Sequence, residues 1–307
     1  MGLRRTRSSA EIGRRRLRSL PALLLREPWA RHGRLGAVVA MAVQVSAYGC
    51  EVAEDTIAVP ADAGSAVPPT CPGPATAAEG VVALYPFDGD DGSALVADVV
   101  GGHDGSVQAG AVATTAGPES CDRALTFGAD QFVVIDDSAD WDLEVGSIDL
   151  WAWLPAESTE NVALVSRDLV AREDPGHASI YVDENGLAVA RVQPADASGD
   201  LDAVSCSAAP LPREEWVHLG LNFGPPAVEF YVDGVLADGA GPHAIDDAWS
   251  CGQAGAFGIA GNDLPWLLGA TTFRGDAPLD NVEFFAEGYA IDHLRISAER
   301  QDFASLP

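Results

Sequence analysis

Three acids follow directly on an apolar segment: Asp88, Asp90 and Asp91, in the run Phe87-Asp88-Gly89-Asp90-Asp91-Gly92. Close-set carboxylates offer the oxygen ligands that hard cations require, so calcium is the cation to expect here. The spacing is not that of an EF-hand loop, because Gly92 falls where the third ligand belongs. The competing reading is a solvated acidic turn. A second constellation sets aromatic rings beside amides and acids: Trp249 and Trp266, with Asn262 and Asp263 between them. Tryptophan faces stack on sugar C–H bonds while Asn and Asp direct hydrogen bonds to hydroxyls, which makes these four the candidate ligand-binding residues. Ordinary core packing is the alternative for the tryptophans.

Catalytic chemistry is harder to find. A retaining glycosidase needs two carboxyl groups about 5–5.5 Å apart. On neighbouring same-face positions of one strand they read Glu-x-Asp-x-x-Glu, and the chain contains no such run; Asp149 has no Glu two positions away. Glu214-Glu215 and Asp246-Asp247 alternate faces if extended and do not pair in that way. Gly-x-Ser-x-Gly, His-Glu-x-x-His and Walker patterns are also missing. His103, His177, His218, His243 and His293 are scattered; His218 and His293 fall on predicted strands and read as strand residues rather than bases. The sequence predicts no catalytic residue and no enzyme activity.

Strands must position these side chains. From Gly80 onward, short apolar segments are punctuated by Gly, Asp, Asn and Pro. Strands are predicted over 80–87, 124–127, 132–135, 147–154, 179–183, 187–192, 216–223, 227–232, 266–269, 282–285 and 289–297. Segments 124–127 and 132–135 follow one another across a Gly-Ala-Asp turn. Asn185-Gly186 marks a hairpin, and Asp233-Gly234 turns 227–232 into Val235-Leu236. Ser147–Leu154 alternates Ile148, Leu150, Ala152 and Leu154 with Asp149, Trp151 and Trp153. Both faces are substantially apolar, so a central strand covered twice is expected, with Trp151, Trp153 and Trp216 in the core. Only Ala298–Ser305 suggests a helix. Many short strands with regular turns imply a sandwich or jelly roll.

Charge divides the chain. Residues 1–34 carry ten Arg and two Glu, a net +8; from Glu51 onward eight Arg face 44 acids, a net of −36. A body this acidic repels phosphate backbones, which excludes nucleic acid as the main partner. The apolar run Leu35–Ala47 is too short to span a bilayer as a helix, which takes about 20 residues. An Arg-rich start, that apolar run and small residues before a cysteine predict an export signal over 1–49. Ala47-Tyr48-Gly49-Cys50 resembles a lipobox, which implies lipid modification of Cys50 and a membrane anchor. Ala47 and Tyr48 depart from that pattern, and plain secretion with an incidental cysteine is the alternative. Residues 50–79, rich in Ala and Pro, form the expected linker behind that anchor. The expected address is the cell envelope or surface. Cys71, Cys121, Cys206 and Cys251 remain, an even number without metal-site spacing, which favours two disulfides in an exported chain. Three connectivities are open; Cys71–Cys121 with Cys206–Cys251 is preferred because these loops do not cross.

Residues 80–307 resemble the laminin G-like, concanavalin A-like jelly-roll modules. The resemblance lies in LYPFDGDDGS with DVVGGHDGSV, in ALTFGADQFVVI with SIDLWAW, in EWVHLGLNF with AVEFYVDGVLAD, and in the closing GYAIDHLRI. It implies an all-β, two-sheet antiparallel jelly-roll β-sandwich over 80–307. It also implies binding of glycans or of extracellular or envelope proteins, frequently with calcium, on a fold shared with glucanases. It further implies an acid of the closing strand beside the opening one, which nominates Asp292. A calcium ion held by Asp88, Asp90 and Asp292 would tie the two ends of the module together. Fold leaves function open, so the site is argued separately.

Overall fold

A computed structural model describes residues 79–305 except 90, 112, 120–121, 171–175, 195–201, 244, 246–249, 274–278 and 280. In chain order the strands begin β1 (Val81–Tyr85), β2 (Leu95–Val96), β3 (Gly105–Gln108), β4 (Ala113–Ala116), β5 (Arg123–Thr126), β6 (Phe132–Ile135) and β7 (Gly146–Trp153). They continue β8 (Val162–Arg167), β9 (Leu169–Val170), β10 (Ala178–Val182), β11 (Ala188–Val192), β12 (Ala203–Cys206), β13 (Trp216–Phe223) and β14 (Glu229–Val232). The last are β15 (Val235–Leu236), β16 (Gly241–Pro242), β17 (Ser250–Cys251), β18 (Trp266–Leu268), β19 (Thr271–Phe273), β20 (Val282–Glu283) and β21 (Ala290–Ser297). All of them fall within one compact unit, Gly64–Pro307.

Two antiparallel sheets carry the core. The first runs β15-β14-β13-β7-β21-β5-β4, with β1 paired to the far end of β21; the second runs β12-β11-β10-β8-β18-β6-β3-β2. Between them lie Ile148, Leu150, Ala152 and Leu154 from β7 and its exit, Val217, Leu219, Leu221 and Phe223 from β13, and Trp266 and Leu268 from β18. The fold is an all-β sandwich, as the strand pattern and turn residues require.

The outer face of the second sheet is closed over. Ala163, Tyr181, Val189, Val204 and Cys206 pack there beneath Ile245, Cys251 and Phe284. A disulfide between Cys206 and Cys251, with Cα atoms 5.4 Å apart, pins that cover to β12. The other preferred pair, Cys71 and Cys121, and the proposed lipid anchor Cys50 lie outside the described residues.

β5 joins the first sheet and β6 the second, so the expected Gly128–Asp130 turn carries the chain across the core. One expectation changes. Ala298–Ser305 forms no α-helix, only a 3₁₀ turn over Phe303–Ser305. β8 escaped the strand reading because all six of its residues are buried. A strand covered on both faces loses its alternation.

Candidate functional site

β21 holds the most unusual side-chain group in the molecule. The register of β21 against β7 shifts between Asp292 and Arg295, and His293 adopts a left-handed φ of 47°. In a regular strand Asp292 and His293 would point to opposite faces. The bulge breaks that alternation, as bulges do when they re-aim a side chain. Asp122, immediately before β5, joins them, with Oδ2 3.6 Å from His293 Nδ1. One ligand atom from each of Asp122, Asp292 and His293 lies within 4.8 Å of the others. Asp88, at the end of β1, accepts a hydrogen bond from the Arg123 N–H at 3.2 Å and adds its charge to the same group.

Asp292 Oδ1 accepts from the His293 N–H at 2.7 Å, but two oxygens of the group lack donors. Asp292 is fully buried, and its Oδ2, like Asp122 Oδ2, has no hydrogen-bond partner among the described residues. Burial, then the charge of Asp122, pushes the Asp292 carboxyl up to about 9; burial raises Asp122 too, against the opposing pull of His293. Facing carboxylates without donors are stable only with a shared proton or a bound cation. Gly117 leaves the room: a Cβ there would lie 2.6 Å from Asp292 Oδ2. Asp122, Asp292 and His293, with Asp88 beside them, therefore fit a divalent cation by donor chemistry and by space.

Of the residues nominated from the sequence, Asp292 lies in this group and Asp88 adjoins it; Asp122 and His293 were not nominated. Asp122 had no signal, since only the pairing of β5 with β21 delivers it. Asp90 lies outside the described residues.

The proposed ligand-binding group does not assemble. Trp266 is fully buried and meets Trp141 edge-on at 6.3 Å, so it belongs to the core and offers no stacking face. Asn262 is buried as well; its amide donates to the carbonyls of Arg167 and Gly176 at 3.1 and 3.2 Å. That loop is fastened from beneath by Arg167, a wholly buried guanidinium that donates to the carbonyls of Leu264, Trp141 and Ile259 and to Asp137. Asp263 is exposed, and Trp249 lies outside the described residues.

Three other tryptophans take the opposite course. Trp151, Trp153 and Trp216, expected in the core, are only half-buried on the outer face of the first sheet. The apolar pattern of β7 was correct about its central position and wrong about a second cover. On the same face Asp149 accepts from Arg295 Nε and Nη2 at 2.8 and 3.1 Å, and His218 Nε2 lies 3.3 Å away.

A second acidic group behaves differently. Asp168, fully buried on the covered side of the second sheet, contacts Arg191 Nη1 at 2.6 Å, His177 Nδ1 at 2.7 Å, Ser179 Oγ at 2.8 Å and Tyr181 Oη at 2.9 Å. Burial alone would raise its pKa, but the Arg191 charge and then His177 overcome that and hold it far below the carboxylate range. Three donors converge on Oδ2 while Oδ1 has the His177 contact, and a carboxylate paired with cations and hydroxyls in this way is structural.

No family model matches the chain, and no curated protein matches it. Among solved structures it is similar to domain 4 of AbnA, a GH43 extracellular arabinanase from Geobacillus stearothermophilus in complex with arabinotriose. Identity there is 18%, over 73% of this chain and 96% of that one, with a TM-score of 0.47. A Trypanosoma rangeli sialidase is 15% identical over 78% of this chain, with a TM-score of 0.48; the chain covers only 34% of its length. The binding domain of botulinum neurotoxin serotype D is 10% identical over 73% of this chain and 49% of its own, with a TM-score of 0.43. Likenesses this distant say nothing of what this chain binds.

Proposed function

We propose that this chain is an exported, surface-tethered, non-catalytic binding module that recognises a glycan or an envelope protein and is steadied by calcium. The observation that carries this reading is the use to which the buried acids are put. Asp98 accepts backbone N–H groups of Leu84, Val100, Gly101 and His103; Asp149 is held by Arg295 and His218; Asp168 accepts from Arg191, Ser179 and Tyr181; Asp183 closes the turn at Asn185 and Leu187. Acids committed to internal donors build a rigid frame and are unavailable to a substrate. Calcium at Asp88, Asp122 and Asp292 would join the opening strand β1 to the closing strand β21, with charge neutralisation as its contribution.

A second reading, a glycan hydrolase on the same fold, draws on one observation: a carboxyl held protonated at Asp292 beside Asp122 resembles an acid poised for proton donation. Full burial of Asp292 opposes it, because a substrate must touch its acid. Glycan-array binding by the full chain, followed by reducing-sugar analysis of each bound glycan, separates the two. Binding without release of product supports the module; turnover of any glycan overturns it. The anchor at Cys50 is tested by mass spectrometry of the exported chain, where an unlipidated amino terminus would exclude it.

A further inference from the structure

The outer face of the first sheet is divided. At one end it is roofed: Phe303 lies over Gly220, where a Cβ would meet its ring at 2.7 Å, with the His218 and Tyr231 rings at 5.8 and 5.6 Å. Gln301 exchanges hydrogen bonds with Asn222, and Arg300 donates to the carbonyl of Ala227 at 2.6 Å. At the other end, Trp216 of β13 stands directly opposite Trp153 of β7, and Trp151 follows opposite His218. Side chains directly opposed across such strands are about 5 Å apart at Cβ, so Trp153 and Trp216 stand side by side on this face, and the Trp151 ring meets that of His218 at 5.2 Å. They stand on inner strands of the sheet.

The exposed charges at this end are acidic. Glu214 and Glu215, which lead into Trp216, are exposed; so are Asp233, beside His218, and Glu287, in the turn leading to Ala290, the partner of Trp153 on β21. Arg213 is turned inward onto the carbonyls of Pro155 and Ser158, each at 3.5 Å. An anionic ligand is repelled by this rim and by the −36 body. A neutral glycan gains nothing from the rim. An ammonium group gains twice, from the carboxylates and from the negative faces of the indoles.

We propose that Trp153 and Trp216, with Trp151 beside them, are the ligand platform, and that its ligand is a glycan chain bearing free amino groups, of the glucosamine-polymer type. Pyranose rings stack on the indoles while their protonated amines meet Glu214 and Glu215. This inference rests on the binding-module reading and gives it a place and a ligand class.

The test is titration of the full chain by intrinsic tryptophan fluorescence with glucosamine hexamer, its fully N-acetylated counterpart and a Lys-rich peptide, at mildly acidic pH where the amines are charged. The glucosamine hexamer is expected to bind most tightly. Trp153→Ala and Trp216→Ala should each weaken it at least about tenfold, the loss typical of a central aromatic contact. Trp216→Tyr, which keeps a ring, should retain most of the affinity and guards against a folding defect. The Glu214→Gln, Glu215→Gln double variant should weaken the amino hexamer and leave the N-acetylated one unchanged. Tighter binding of the N-acetylated hexamer or of the peptide overturns the ligand class. Unchanged affinity in both alanine variants overturns the platform while leaving the module reading intact. An absence of binding to any glycan on an array defeats both.

Discussion

Asp168 and Asp292 are both fully buried carboxyls on strand-borne frames, yet their surroundings push them in opposite directions. Asp168 sits beneath a disulfide-pinned cover with an arginine, a histidine and two hydroxyls aimed at it. Asp292 faces another carboxylate, with no donor for its Oδ2. The first is a structural element whose charge is balanced by its cationic partners. The second is incomplete, and an incomplete buried acid is where a cation site belongs. The contrast also teaches that burial alone does not set a carboxyl's state; the donors around it do.

The largest effect should come from breaking the charge-balanced group. Arg191→Met leaves Asp168 charged and short of its main partner, and should cost about 3–5 kcal/mol of stability in urea unfolding. A loss under about 1 kcal/mol would remove the distinction between the two groups. Next comes the cover: replacing Cys206 and Cys251 by serine, which opens a link between residues 45 apart, should cost about 2–4 kcal/mol.

The pH response separates the groups by sign. Asp168 is lowered in the fold, so its stabilisation is present above the ordinary carboxylate pKa and is lost as pH falls through and below about 4. Asp292 is raised, so without cation its contribution is present at acid pH and is lost as pH rises toward about 9. Melting temperatures of the full chain in chelator should therefore decline on the alkaline side, and Asp292→Asn should flatten that limb while leaving the acid limb unchanged. In chelator near pH 8, Asp292→Asn should also stabilise by about 1 kcal/mol, the cost of an unsatisfied buried group removed. The smallest effect belongs to Asp263: Asp263→Ala should stay within about 0.5 kcal/mol in stability and leave glycan affinity unaltered.

Much of the fold was legible. Asn185-Gly186 and Asp233-Gly234 placed two hairpins, because positive-φ turns leave few choices of residue. The alternation in β7 marked a central strand of the first sheet, where it pairs with β13. The site was only half legible. Asp88 was nominated as part of the acidic run behind the opening strand, and Asp292 by the resemblance of the closing strand it lies in. Asp122 and the bulge at His293 were not, since they depend on a register shift that no local pattern announces. The tryptophans were exchanged for a similar reason. Trp266 looked free because it lies near polar residues in the chain, but its neighbours Asn262 and Arg167 turn out to be buried fasteners. Trp153 and Trp216 looked internal because an apolar outer face reads the same whether it is covered or left open to a ligand.

Calorimetric titration of the full chain with calcium, in two buffers of different protonation enthalpy, tests the central contrast most directly. The account predicts saturable binding near one ion per chain, with protons released from the Asp122–Asp292 pair and both signals lost in Asp292→Asn. Heat that is absent, or that persists unchanged in Asp292→Asn, would contradict it.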